Sequence, residues 1–193
     1  VAFTFTQLRG RGVTAAPSRL AAVIGDSLTE HAFGATPIYW QNGLAGAPLQ
    51  LIANSGHSGQ TIYGLKDQIN SSYLLATAPG LAGLPALGWV GLRIGSNTAK
   101  GAGDGGVPLD ASNQGYYVEI INNLLSRAEH VIVFPVPPIG GVGVTKNTAV
   151  AGYNTYLQGL CSANPTRLHW IDDCADLVDG SGNIIPEYFL VDE

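Results

Sequence analysis

Ser27, Gly56 and Asn97 are the residues of this 193-residue chain whose types could do chemistry together. A serine hydroxyl is a latent nucleophile, weak at neutral pH until a base takes its proton. A glycine N–H can be reached by a substrate carbonyl because no side chain stands in the way. An asparagine carboxamide donates two N–H bonds without carrying charge. A nucleophile with donors for a negative oxygen is most of what acyl transfer needs; a base is the missing part. Each residue also has an ordinary reading. Ser27 lies in Gly25-Asp26-Ser27-Leu28-Thr29-Glu30, which could be a Ser/Asp cap before a helix. Gly56 alone could be a turn glycine, and Asn97 alone a loop residue in an Asx-turn.

The elements that must position them change that balance. Ser27 follows the apolar run 20–24, Asn54-Ser55-Gly56-His57-Ser58-Gly59 follows the run 49–53, and Gly95-Ser96-Asn97-Thr98 follows the run 89–94. Each reads as a buried strand ending in a turn. The pattern predicts strands at Leu20–Gly25, Leu49–Asn54, Gly88–Ile94, His130–Pro135 and Arg167–Ile171. Helical spacing falls between them, at Ile62, Leu65 and Ile69, at Tyr117, Ile120, Ile121 and Leu124, and at Val150, Tyr153, Leu157 and Leu160. Asp110 or Ser112 is the candidate N-cap of the second of these helices. Alternating β and α elements imply a parallel sheet. Such a sheet puts all three polar segments on its carboxyl edge, where open α/β sheets hold ligands. A helix begun at Leu28 would set the Ser27 amide where it can face an anion.

Three such signatures, in this order behind three strands, resemble the SGNH hydrolases, also called the GDSL esterase/lipase family. Ser27 matches the family's Ser, Gly56 its Gly and Asn97 its Asn, and the likeness runs from about Leu20 to Asp192. The resemblance implies a three-layer α/β/α fold on a five-stranded parallel sheet in flavodoxin-like order. It implies Ser27 as catalytic nucleophile, with the Ser27 and Gly56 amides and the Asn97 side chain as the oxyanion hole. A late Asp-x-x-His block supplies the family's remaining catalytic groups. Asp192 matches the Asp, and the His would fall three residues later, past Glu193. The chain is therefore expected to be one SGNH hydrolase-like domain, 1–193, cut before that His. A C-terminal continuation or a second chain would supply it. Thr98 departs from the family, where an Asp commonly follows the Asn, and the departure bears on how the Asn97 loop is braced.

None of the four histidines, His31, His57, His130 and His169, stands in an Asp-x-x-His context. His57 adjoins Gly56, on the oxyanion side, and suits a substrate contact better than a base. His169, beside Trp170, is expected to be packed, and His31 and His130 structural. Cys161 and Cys174 are read as free or buried thiols. They should lie at opposite ends of the last strand, about 20 Å apart, where a disulfide needs Cα atoms within about 7 Å. Charged residues are only 12% of the chain and the net charge is −5, which argues against nucleic acid as a partner. No apolar stretch approaches the ~20 residues of a membrane span. Residues 1–6 read as a short strand or arm. Low charge and abundant glycine suit an exported or surface protein without fixing the compartment. The segments Gly101–Gly106 and Ile139–Val144 are read as loops rimming the site; the first lacks the spacing and the lysine of a phosphate cradle. Tyr39, Trp40 and Tyr73 could line an acyl pocket or pack ordinary helices. No metal or other cofactor is expected.

The leading expectation is a serine esterase acting on small-molecule or saccharide esters such as O-acetyl groups. A lysophospholipase or thioesterase activity of the same family, and a catalytically silent binding or structural domain, stand as alternatives.

Overall fold

The computed structural model describes residues 7–9, 13–15, 20–29, 50–70, 87–100, 106–138 and 144–175. Asp192, His31, Tyr39, Trp40, Tyr73 and the segments 1–6, 101–105 and 139–143 lie outside the described residues. A small antiparallel hairpin comes first, β1 (Gln7–Arg9) and β2 (Val13–Ala15). The main sheet is built from β3 (Leu20–Gly25), β4 (Gln50–Gly56), β5 (Leu87–Arg93), β6 (Ala128–Val133) and β7 (Leu168–Trp170). Its order is β4-β3-β5-β6-β7 and every pairing is parallel. This is the flavodoxin-like order. Each expected strand is present, with ends shifted by at most two residues.

The helices are α1 (Ile62–Asn70), α2 (Ser96–Lys100), α3 (Ala111–Leu125) and α4 (Val144–Ala163). Their apolar positions meet one face of the sheet. Ala22 and Ile24 of β3, Val90 and Leu92 of β5, and Val131 and Val133 of β6 share a core with the expected faces of α1, α3 and α4. Leu160 sits at its rim, half-buried. Alternation explains the choice, because successive strand side chains point to opposite faces. Asp110, rather than Ser112, caps α3; its carboxylate accepts the Asn113 N–H at 2.7 Å. Beyond the other end of α3, Arg167 donates to the carbonyls of Leu125, the last residue of the helix, and of Ala128 and Glu129 at the start of β6. None of the described helices is long and apolar enough to cross a membrane.

Two further points differ from or sharpen the sequence reading. Residues 96–100 form a helical turn, so Asn97 stands in the first turn of α2 rather than in an open loop. Ala99 N–H donates to Gly95 C=O at 2.7 Å and closes that turn. Cys161 and Cys174 are both buried and unbridged. Burial pushes the Cys161 thiol up to about 11, and burial with the neighbouring Asp173 carboxylate pushes Cys174 up to about 12.

Candidate active site

Parallel register brings the ends of three strands to one level. Gly25 stands beside Gly56 on one side and beside Arg93 on the other. The hydrogen bonds continue past the strand ends: His57 N–H donates to Gly25 C=O at 3.0 Å, and Asp26 N–H to Arg93 C=O at 3.2 Å. Ser27, Gly56 and Asn97 thus follow from, or lie on, adjacent strand ends of the same edge. A Cβ added at Gly25 would sit 1.9 Å from Arg93 O and 2.3 Å from Thr29 Oγ1. Only glycine lets the Ser27 turn lie this close to β5.

The Ser27 turn is a single helical turn over 27–29, begun by Asp26. Asp26 is fully buried; its Oδ1 accepts the Leu28 N–H at 3.1 Å, and its C=O accepts the Thr29 N–H at 3.0 Å. Burial holds the Asp26 carboxyl above the usual carboxylate range, against the Leu28 amide, Ser96 and Arg93, which pull it down. The capping reading of this hexapeptide and the nucleophile reading are therefore compatible. Asp26 is the cap, and Ser27, half-buried, is the first helical residue.

Gly56 N–H donates to Asn54 Oδ1 at 2.8 Å, an Asx-type contact. Asn54 Nδ2 in turn donates to Thr29 C=O at 3.1 Å, across to the Ser27 turn. Asn97 Nδ2 donates to Gln60 C=O at 3.1 Å. A carboxamide nitrogen carries two hydrogens, so this bond fixes the plane of the group and leaves one N–H to give. Thr98 Oγ1 accepts the Ile62 N–H at 3.0 Å, serving a first-turn amide of α1 from another element. Thr98 is thus a neutral acceptor that locks the Asn97 turn to the start of α1.

The candidate base positions are equally definite. His57 is exposed beside Gly56. His130 and His169 lie elsewhere: His130 pairs in register with Trp89, four residues before Arg93. At ~3.3 Å per residue that is about 13 Å from the carboxyl edge. Their rings approach to 2.9 Å, Nδ1 of His130 to Nε2 of His169, and both lie against Trp89, at centroid distances of 4.6 and 5.1 Å. Burial, the His169 and Arg167 charges together bring His130 down to about 4, and burial lowers His169. Both pack as the sequence suggested, His169 against its neighbours and His130 as a structural residue; their pairing with each other was not foreseen. The chain leaving β7 returns to the edge: the Asp173 carboxylate forms an ion pair with the Arg93 guanidinium, which also lies 5.2 Å over the Phe134 ring. Asp192 belongs to the segment that follows.

The Asn54 and Gln60 contacts were not assigned from the sequence; Thr98 was singled out there for its bearing on the Asn97 loop, but its partner, the Ile62 N–H, was not. For Asn54 a signal existed, an Asn two residues before a glycine, which is Asx-turn spacing. The Gln60 and Thr98 contacts span 37 and 36 residues, and no local pattern marks which segments they join.

No protein-family model matches the chain, and no curated protein matches it. Solved structures do. The chain is similar to a GDSL-like lipase from Bacteroides thetaiotaomicron VPI-5482, with a TM-score of 0.61 and 17% identity over 89% of this chain and 77% of that one. It is similar to a member of the lipolytic protein G-D-S-L family from Veillonella parvula DSM 2008, with a TM-score of 0.58 and 14% identity over 77% of this chain and 75% of that one. It is also similar to AlinE4, an SGNH-hydrolase family esterase, with a TM-score of 0.54 and 20% identity over 80% of this chain and 76% of that one. The fold is SGNH hydrolase-like, and the sheet and its helices are consistent with a three-layer α/β/α arrangement.

Proposed function

We propose that this protein is a serine hydrolase that cleaves carboxylic esters, small acyl groups such as acetyl on a saccharide among them. The observation that carries the reading is the common level of Gly25, Gly56 and Arg93 on one sheet edge, which sets the Ser27 turn between the glycine loop and the Asn97 turn. In this reading Ser27 Oγ attacks the ester carbonyl carbon. The proton passes to a histidine contributed by residues after Glu193, oriented by Asp192, which also stabilises the imidazolium. The carbonyl oxygen becomes an oxyanion and is met by the amides of Ser27 and Gly56 and by Asn97 Nδ2. The proton returns to the leaving alcohol, and water then releases the acid from the acyl-enzyme by the same steps.

The test is hydrolysis of p-nitrophenyl acetate by the full-length protein. Ser27→Ala is expected to lower kcat by at least about a thousandfold. Asn97→Ala is expected to lower it by about 100–1,000-fold with little change in KM, as loss of one oxyanion donor does. Turnover that survives Ser27→Ala overturns the assignment. A panel of acetylated saccharides, longer acyl esters and thioesters, compared by kcat/KM, then sorts the esterase reading from its lysophospholipase and thioesterase relatives.

A further inference from the structure

Two side chains in the first turn of α2 reach the chain that enters α1, and they bond it in opposite senses. Asn97 Nδ2 donates to Gln60 C=O at 3.1 Å, and Thr98 Oγ1 accepts the Ile62 N–H at 3.0 Å. Two points of attachment fix the segments against each other, so neither can swing about a single contact. The held segment is also tied at its other end. Gln60 N–H donates to His57 C=O at 3.1 Å, and His57 N–H donates to Gly25 C=O at 3.0 Å. Gly25 stands two residues before Ser27. Residues 57–62 are therefore a spacer, bonded to the strand end that launches the Ser27 turn and to the Asn97 carboxamide. Within it Thr61 serves α1 itself, accepting the Gly64 N–H at 3.1 Å. The Ile62 amide needs a partner from another element, and Thr98 supplies it. Ile62 is fully buried, so losing that acceptor leaves a polar group without compensation.

We infer that Thr98 is a positioning residue for Asn97: its hydroxyl anchors the spacer 57–62 to α2 and so sets where the Asn97 carboxamide stands relative to Ser27. The inference rests on the hydrolase reading above, and within it on Asn97 as a donor to the oxyanion. Thr98 acts on the reaction only through the residue beside it. The Asn97 bond to Gln60 C=O fixes the plane of the carboxamide, and the Thr98 bond to Ile62 N–H fixes the backbone on which that carboxamide leans. With the Thr98 bond gone, the spacer keeps one tether to α2 instead of two. A misplacement of about 1 Å in a group that must meet the transition state can cost about a hundredfold in rate. Valine copies the shape of threonine without the acceptor, and serine keeps the acceptor without the methyl.

The experiment compares Thr98→Val and Thr98→Ser in the full-length protein, with Thr98→Val made also in an Asn97→Ala background. Thr98→Val is expected to lower kcat for p-nitrophenyl acetate about tenfold or more while KM moves less than about threefold, the pattern of lost orientation. Thr98→Ser is expected to stay within about threefold of wild-type kcat. In the Asn97→Ala background, Thr98→Val should lower kcat by less than about a further twofold, because the group it positions is already gone. A threonine that only stabilises the fold would lower kcat alike in both backgrounds. Hydrogen exchange followed by NMR on the resting protein reads the same contact without turnover: the Asn97 side-chain N–H hydrogens should exchange faster in Thr98→Val than in wild type. If Thr98→Val does not fold, Thr98→Ala takes its place in every measurement. A kcat within about twofold of wild type in the acceptor-free variant overturns the inference. So do equal losses in the two backgrounds, or an unaltered Asn97 exchange rate. Wild-type protein without Ser27-dependent hydrolysis would instead overturn the hydrolase reading, and the exchange measurement would still decide whether Thr98 holds Asn97.

Discussion

At the residue scale, the site's precision comes from atoms that leave no room. Gly95 turns the chain from β5 into α2 with φ +132, and a Cβ there would stand 2.4 Å from Tyr117 Oη and 2.7 Å from Val136 Cγ2. Tyr117 is fully buried and its hydroxyl donates to Ile94 C=O at 2.7 Å, so it has no freedom to retreat. Gly95→Ala should therefore cost at least about 2 kcal/mol, combining backbone strain and overpacking. That corresponds to a melting temperature about 4–8 °C lower for a domain of this size, measurable by calorimetry. Because Asn97 is two residues on, any folded Gly95→Ala protein should also lose kcat. An unchanged melting temperature would show that the turn can relax. The residue types at 27, 56 and 97 were legible from sequence because each follows an apolar run. The atoms that hold them were not. Gln60 C=O on Asn97 and Thr98 Oγ1 on Ile62 N–H depend on two segments meeting in space, which no spacing within either segment reveals.

At the element scale, strands and helices were legible wherever burial imposes a period. The faces of α1 and α3 fall where the spacing put them, since a helix between two parallel strands has one side to bury. The strand ends drifted because a ladder stops where partner backbones diverge, a property of pairs. The order of the five strands was not contained in periodicity; it came from the family resemblance. One contact that supports the order is non-local. Asn154 on α4 pairs with the backbone of Val136 in both directions, Oδ1 accepting the N–H at 2.8 Å and Nδ2 donating to the C=O at 2.9 Å. It fixes the proline-rich segment that leaves β6 against α4. Asn154→Leu keeps the branched shape but strands the Val136 N–H and C=O, at about 1–3 kcal/mol each. The expected result is a lower melting temperature and faster exchange of the Val136 amide. Equal stability would mean that another group takes over both bonds.

At the scale of the whole molecule, chemistry and packing occupy different levels of the sheet. Ser27, Gly56 and Asn97 stand on the carboxyl edge, and the one cluster of histidines among the described residues lies half-buried against Trp89, back along the strands. That cluster ties stability to pH. His130 is held at about 4 in the folded protein, below its ordinary 6.5, so between those values the unfolded chain binds more protons. Its contribution is present above pH 6.5 and is lost as the pH falls toward 4, and the lowered His169 adds in the same direction. The melting temperature should thus drop on acidification through this window. In His130→Phe, which keeps a ring against Trp89, the drop should be shallower. Parallel slopes for the two proteins would remove the histidine pair as the cause.

The buried sulfurs have a use outside the protein's own chemistry. Both cysteines of the chain lie inside and hold their protons far above neutrality. Thiolate is the species that maleimides and oxidants attack. The native surface is therefore blank to sulfur-directed reagents, and a dye attached through one added cysteine would report from that place alone.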